Sequence, residues 1–393
     1  MKPVVPLFAA IASLLFATAQ AAAPGAAPPE AARTLAQDAV IVDTHIDAPT
    51  ELLKHWLDLG GTTVREFDYP KARAGGLDIG FMSIYTSADQ DDAGQAWQVA
   101  NTQIDAVEAL VQRHPDKFAL LRSPRDVERL RAGGHVLLAL GMENGAPIGD
   151  DLRQLQAFHD RGIRYITLAH SRGNRIADSS YGQARQWHGL SPFGRDVVAG
   201  MNRLGIMVDV SHLSDESARE AIALSSVPVI ASHSAFRHFT PDFERNISDE
   251  LARAIAAKGG VVQVPFGTAF IDRQAAADIV AYFAAVAGTP QDQVAAFDKT
   301  WAEAHPNPET HLAQVLDEID YGVKLLGIDH VGLGSDFDGV DGALPAELRT
   351  VADYPNLVAG LQARGYSDGD IRKLLGGNLL RVWTAVEDGA AKP

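Results

Sequence analysis

From residue 40 to residue 335, short apolar runs alternate with longer stretches whose apolar residues recur at helical spacing. Eight runs stand out: Val40–Thr44, Ile79–Tyr85, Val136–Met142, Tyr165–Ala169, Ile206–Ser211, Val227–Ser232, Val261–Phe266 and His330–Ser335. They are short and bounded by turn residues, as strands buried on both faces are. Helical patterns fall between them at Trp97–Arg113, Asp126–Arg131, Asp151–Arg161, Gly194–Leu204, Asp215–Leu224, Asp249–Ala257 and His311–Leu326. Strand followed by helix, repeated, predicts parallel βα units. Eight such units in one chain predict an α/β fold, a (β/α)8 TIM barrel, with a doubly wound open sheet as the alternative. The connection after the seventh run, 267–308, is long, with an Ala-rich helical part and Trp301. It is expected to cover the barrel mouth or to build an oligomer contact.

Composition narrows this picture. The chain has 393 residues, 46% of them hydrophobic, enough to fill one large core. A formal charge of −16 argues against a nucleic-acid partner, which would want a basic face. There is no cysteine, so any metal must be held by His, Asp and Glu. At the N-terminus Lys2 precedes the apolar stretch Val4 to Ala17, and Ala19-Gln20-Ala21 forms an A-x-A cleavage site. Residues 1–21 therefore read as a secretory signal, too short to span a bilayer comfortably and leaving no integral span after processing. Residues 22–36 read as a flexible leader, with order beginning near Ala31 and a single catalytic domain over 37–388. Export without cysteine points to a bacterial periplasm.

Reactive side chains gather at the ends of the runs. His45 and Asp47 close the first, Glu143 the third, His170 the fourth, His212 the fifth, His233 the sixth and Asp336 the eighth. Only the C-terminal ends of barrel strands share a mouth, so these residues are candidates for one site. His-x-Asp at a strand end suits a divalent cation of the zinc class. The other histidines, among them His114, His159, His188 and His311, fall in helices or loops and read as solvated or capping. Glu143 could instead cap the following turn, yet a carboxylate straight after Leu137-Leu138-Ala139-Leu140 is costly to bury without a cation. His212 and His233 share a Ser-His context on successive strand ends. Asp336 competes with Asp338, which is assigned to the turn before Gly339. His170 can be a ligand or, as a neutral imidazole, can donate to a substrate oxygen.

Several stretches taken together resemble the membrane (renal) dipeptidase family, metallopeptidases of the amidohydrolase type. They are Asp43-Thr44-His45-Ile46-Asp47, Gly141-Met142-Glu143, Arg164 to Ser171, Met201 to Ile206, Ser232-His233-Ser234, Arg245-Asn246, Asp329 to Gly339 and Asn378 to Val382. The resemblance covers roughly Asp38 to Glu387. It implies two zinc ions per subunit bridged by Glu143, one held with His45 and Asp47 and the other with His212 and His233. It also implies that His170 and Arg245 bind substrate and that Asp336, touching substrate, carries the proton.

The activity so implied is a zinc-dependent dipeptidase that hydrolyses L-L dipeptides, and L-D dipeptides through tolerance of a D-residue at the second position. The attacking group would be a metal-bridging hydroxide available near neutral pH. Arg245 is expected to grip a free C-terminal carboxylate with a bidentate pair, limiting substrates to short peptides. Tyr85 and Phe266 are the expected pocket walls. Two alternatives stand beside this: removal of the acyl group from N-acyl-D-amino acids on the same site, and an exported metal-binding protein, which would leave Asp336 and Arg245 without a task. The resemblance also suggests a homodimer. The chain departs from the mammalian pattern in lacking cysteines and a C-terminal hydrophobic tail for a lipid anchor, and Asn144 stands where glycine is expected.

Overall fold

The structure, a computed structural model, describes residues 27–181, 184–286, 289 and 293–390. The stretch read as a signal, 1–21, and the leader as far as Ala26 lie outside the described residues. Nine strands form one parallel sheet: β1 (Ile41–Ile46), β2 (Leu77–Tyr85), β3 (Phe118–Leu120), β4 (Val136–Glu143), β5 (Ile163–Thr167), β6 (Met207–Asp209), β7 (Ile230–Ala231), β8 (Val261–Val264) and β9 (Val331–Leu333). Eight run in the order β1-β2-β4-β5-β6-β7-β8-β9. The ring closes where Ile46 bridges Phe337 in parallel, with Asp47 N donating to Phe337 O at 2.8 Å and Asp336 N to His45 O at 3.1 Å. The barrel expected from the eight runs is the architecture found.

β3 is the one strand absent from the eight runs. Phe118–Leu120 pairs with Val136–Leu138 at the start of β4, whereas β5 joins β4 only from Leu140 onward. β3 thus covers an edge that would otherwise lie bare below the start of β5. Three residues are too few to show a strand period. Within the stretch read as leader, a helix over Glu30–Asp38 buries Ala32, Leu35 and Ala36. That spacing is one helical face, and it packs against the outer helix Tyr354–Ala363.

Alternation along β4 shows how the barrel makes its floor. Leu137, Ala139 and Gly141 point into the lumen, where Val42, Ile79, Phe81, Tyr165, Met207, Ile230 and Val261 meet them. Trp383, on the helix Asn378–Gly389, fills the lower end, its ring 5.2 Å from that of Phe81. Gly141 has no side chain for a reason: a Cβ there would lie 2.0 Å from the Tyr165 ring. The Tyr165 ring therefore crosses the lumen and delivers its hydroxyl upward. The opposite faces of the strands, with Leu138, Leu140, Ile166, Val208, Val262 and Val264, pack against the outer helices in a second core. Burying each such side chain stabilises the fold by about 1.5–3 kcal/mol before entropy is counted.

The segment after β8 carries helices over Thr268–Ile271, Arg273–Val286 and Val294–Ala304 before the long helix Leu312–Leu326. Thr268, Phe270, Ile279 and Phe283 from it face the cavity at the mouth.

Candidate metal centre

The seven strand-end residues read from the sequence converge. His45 and Asp47 sit with Nε2 and Oδ2 3.4 Å apart, and the same His45 nitrogen is 3.4 Å from Glu143 Oε2 and 4.0 Å from Asp336 Oδ1. The other Glu143 oxygen, Oε1, faces His212 Nε2 at 3.1 Å, His170 Nε2 at 3.3 Å and His233 Nε2 at 3.4 Å. Glu143 follows Leu137, Ala139 and Gly141 as the last inward residue of β4, so the alternation that fills the lumen also lifts this carboxylate to its rim. Its two oxygens address two separate sets of donors.

Hydrogen bonds fix which imidazole nitrogens face inward. Tyr165 Oη donates to Thr44 O at 3.0 Å and lies 2.9 Å from His45 Nδ1, so Nδ1–H donates to the phenol. His45 Nε2 is left bare, fully buried and without a hydrogen-bond partner. On the other side, Ser232 Oγ donates to Asp209 Oδ2 at 2.6 Å and receives His233 Nδ1–H at 2.8 Å. That again turns a bare Nε2 inward. His212 takes its proton on Nδ1, because Arg245 Nη2 donates to its Nε2 at 3.0 Å. The Nε2 atoms of His212 and His233 then face each other at 2.8 Å, lone pair to lone pair, an arrangement that calls for a cation between them and the carboxylate.

Charge in the pocket says the same. Burial disfavours an imidazolium at His45, yet Tyr165, Glu143 and Asp47 hold its pKa well above the usual histidine value. Nε2 is therefore a place for a positive charge, proton or metal. Burial would raise Glu143, but His45 and His170 hold it well below the carboxylate range. Burial, then the charge of Asp47, pushes Asp336 far up. His212 and His233 are driven well below the usual value by burial, followed by Arg245 and His170 at the first and by His45 and Arg245 at the second. Neutral imidazoles with free lone pairs beside ionised carboxylates are the donor set that divalent cations take. Among the described residues three donor groups satisfy the spacing: His45, Glu143 and His233; Glu143, His170 and His212; His45, Asp47 and Asp336.

The backbone gives way to hold these groups. His212 and Asp336 sit at φ 66° and 67°, a left-handed region costly for any residue but glycine. Gly339 leaves room that a Cβ would take, 2.3 Å from Asp47 Oδ2 and 2.5 Å from Asp336 Oδ1. Asn144 has φ 79°, which accounts for the expected glycine and for asparagine as its replacement: its amide donates to Thr86 O and its carbonyl accepts from Asn174.

A cavity of about 500 Å³ opens above the cluster, its walls including Tyr85, Tyr181, Phe270, Ile279 and Phe283. Tyr85 is where the sequence put it, its ring 4.7 Å from that of His170. Phe266 is not. It continues the outward parity of Val262 and Val264 and packs under the site, edge-on to Phe337 and Tyr354. Arg245 is buried, with Nη1 donating to Ser234 Oγ at 2.7 Å and Nη2 to His233 O at 2.7 Å, while Nε has no partner. Asp338 accepts from Glu66 N and Phe67 N, the loop role assigned to it.

Sequence reasoning passed over the supports. Asp43 accepts from Ser335 N and His45 N, and Asp209 from Ser232 N and Ser211 N, each tying a ligand-bearing strand end to its neighbour. A carboxylate inside an apolar run, at Val42-Asp43 and Val208-Asp209, was the available signal.

Residues 29–393 match the family described as membrane dipeptidase (peptidase family M19). Dipeptidase tcpJ of Claviceps purpurea is 31% identical over 328 residues, covering 82% of this chain and 68% of that protein. Among solved structures, the probable dipeptidase PvdM from Pseudomonas aeruginosa superposes with a TM-score of 0.85 at 29% identity, over 92% of this chain and 98% of the other. A metallo peptidase from Rhodobacter sphaeroides, bound to a phosphinate mimic of the dipeptide L-Ala-D-Ala, gives 0.74 at 26%, over 88% and 99%. With a barrel and a metal-ready cluster already in place, these matches mean that the chain belongs to the membrane dipeptidase family and is a metallopeptidase hydrolysing the peptide bond of dipeptides.

Proposed function

We propose that this dipeptidase works with two zinc ions, one held by His45, Asp47 and Glu143 and the other by Glu143, His212 and His233. The observation that carries this is the split of the Glu143 carboxylate, with Oε2 toward His45 and Oε1 toward the histidines of β6 and β7. When bound, two such cations supply an acidified water and polarise the scissile carbonyl.

The chain's own residues do the rest. Asp336, its Oδ1 4.0 Å from His45 Nε2 at the mouth, would as a carboxylate take a proton and return it to the leaving amine. His170, on the Glu143 Oε1 side of the cluster and against the Tyr85 ring, would orient the substrate's carbonyl oxygen. Arg245 presents an unpartnered Nε–H toward a free carboxylate, and a bidentate grip requires one of its terminal nitrogens to exchange a protein partner. The phosphinate-bound Rhodobacter relative supports L-D dipeptides beside L-L ones as substrates.

Metal analysis together with a panel of L-L dipeptides, L-D dipeptides and N-acyl-D-amino acids tests this reading. Two zinc ions per chain and turnover of both dipeptide classes are expected. Turnover of the acylated amino acids alone would sink it. The N-terminal pattern supports export to a bacterial periplasm, which cell fractionation checks. No helix among the described residues is long and apolar enough to cross a membrane.

A further inference from the structure

Arg245 is 2% exposed, its guanidinium 4.9 Å over the Phe270 ring. Nη2 carries two hydrogens, and both are engaged: one with His233 O at 2.7 Å, the other with His212 Nε2 at 3.0 Å. The His212 nitrogen that accepts is the same one aimed at Glu143 Oε1. An imidazole nitrogen of this kind has a single in-plane lone pair, so Arg245 and a cation cannot both have it. Guanidinium also keeps its charge under all ordinary conditions and repels a divalent cation placed beside it. The other donor set has no such rival. His45 Nε2 has no hydrogen-bond partner and is ringed by Asp47, Glu143 and Asp336.

We propose that the two metal positions are unequal and fill in order. The position of His45, Asp47 and Glu143 loads first. The position of Glu143, His212 and His233 loads only as Arg245 Nη2 gives up His212. The released N–H joins the unpartnered Nε–H to make the fork that a substrate carboxylate needs. Metal loading thus prepares the clamp, and by linkage a carboxylate that draws Arg245 away favours the second cation. This inference rests on the two-cation reading above.

Titrating the chelator-stripped protein with Co²⁺ in a calorimeter tests it. Wild type should take two equivalents, the second weaker by about tenfold or more. In Arg245→Met the second should tighten by about tenfold while the first stays within roughly threefold. Equal affinities in wild type, untouched by the substitution, would overturn the proposal. Fewer than two equivalents in wild type would instead overturn the two-cation reading. Should the variant fail to fold, imidazole ¹⁵N signals of wild type followed through a parallel titration with diamagnetic Zn²⁺ decide the matter. The first equivalent should move His45 and leave His212 in place; both moving together at the first equivalent would sink the ordering.

Discussion

The lumen and the mouth of this barrel are built from the same inward-facing positions and obey opposite rules. Along β4, Leu137 and Ala139 pack in the lumen, while Glu143, at the end of the same series, stands among imidazoles, of which His45 turns a nitrogen without a hydrogen-bond partner toward it. The lumen positions are apolar and packed around Phe81 and Trp383. The mouth holds His212 and Asp336 in left-handed backbone, with Asp336 pushed far up and Glu143 far down. Three residues of strand, Leu140 to Met142, separate a region that stabilises from one that must be stabilised. Strain and unpaired polar groups are tolerated at the mouth because the lumen beneath it is rigid.

That contrast can be broken first at Glu143. Glu143→Ala should remove both cations and lower kcat/KM by about 10⁴-fold, roughly 5 kcal/mol of transition-state stabilisation, while the fold survives. Metal analysis beside steady-state kinetics checks this, and a variant that keeps one tightly held cation would show that the carboxylate does not bridge.

The lumen answers in the opposite currency. Trp383→Ala should cost about 3–5 kcal/mol of stability in denaturant melts, with metal stoichiometry unchanged in the folded fraction. Loss of metal at full stability would mean that floor and mouth are coupled more tightly than their packing suggests.

Tyr165 belongs to both regions, ring in the lumen and hydroxyl at His45. Tyr165→Phe keeps the ring but frees His45 Nδ1 and Thr44 O, so metal affinity should fall about 10–100-fold, with a stability loss of about 1–2 kcal/mol. Chelator competition measures the first and thermal melts the second.

The smallest effect lies in the outer core. Glu318, on the helix Leu312–Leu326, accepts from Phe236 N through Oε2 while Oε1 has no partner, and burial holds its carboxyl well above the ordinary 4.5. The folded chain keeps a proton there that the unfolded chain releases, so stability falls as pH rises past 4.5 toward the folded value. Glu318→Gln should raise the melting temperature at pH 7 by roughly 1–3 °C and flatten that fall, without touching turnover.

How far these two regions could be read beforehand differs for a physical reason. The mouth was legible because an apolar run that stops at His, Asp or Glu marks a strand end, and in a barrel every such end meets the others. All seven of those residues arrive within reach of one another. The supports were not legible: nothing local in Val208-Asp209 says that the carboxylate will meet Ser232 on the next strand. In the run Val261–Phe266 the outward parity of Val262 and Val264 carries on to Phe266, which therefore falls on the outward face instead of the pocket wall. Three residues of β3 carried no period at all, and the buried spacing Ala32, Leu35, Ala36 hid behind the Ala- and Pro-rich start of the chain.

The excursion after β8 supplies Thr268, Phe270, Ile279 and Phe283 to the cavity, whereas every group expected to touch a cation comes from the barrel itself. Part of the cavity wall and the whole of the cation-facing cluster thus lie on separate stretches of chain. A graft exchanging this excursion between relatives should alter that part of the wall and leave the cation-facing cluster as it was.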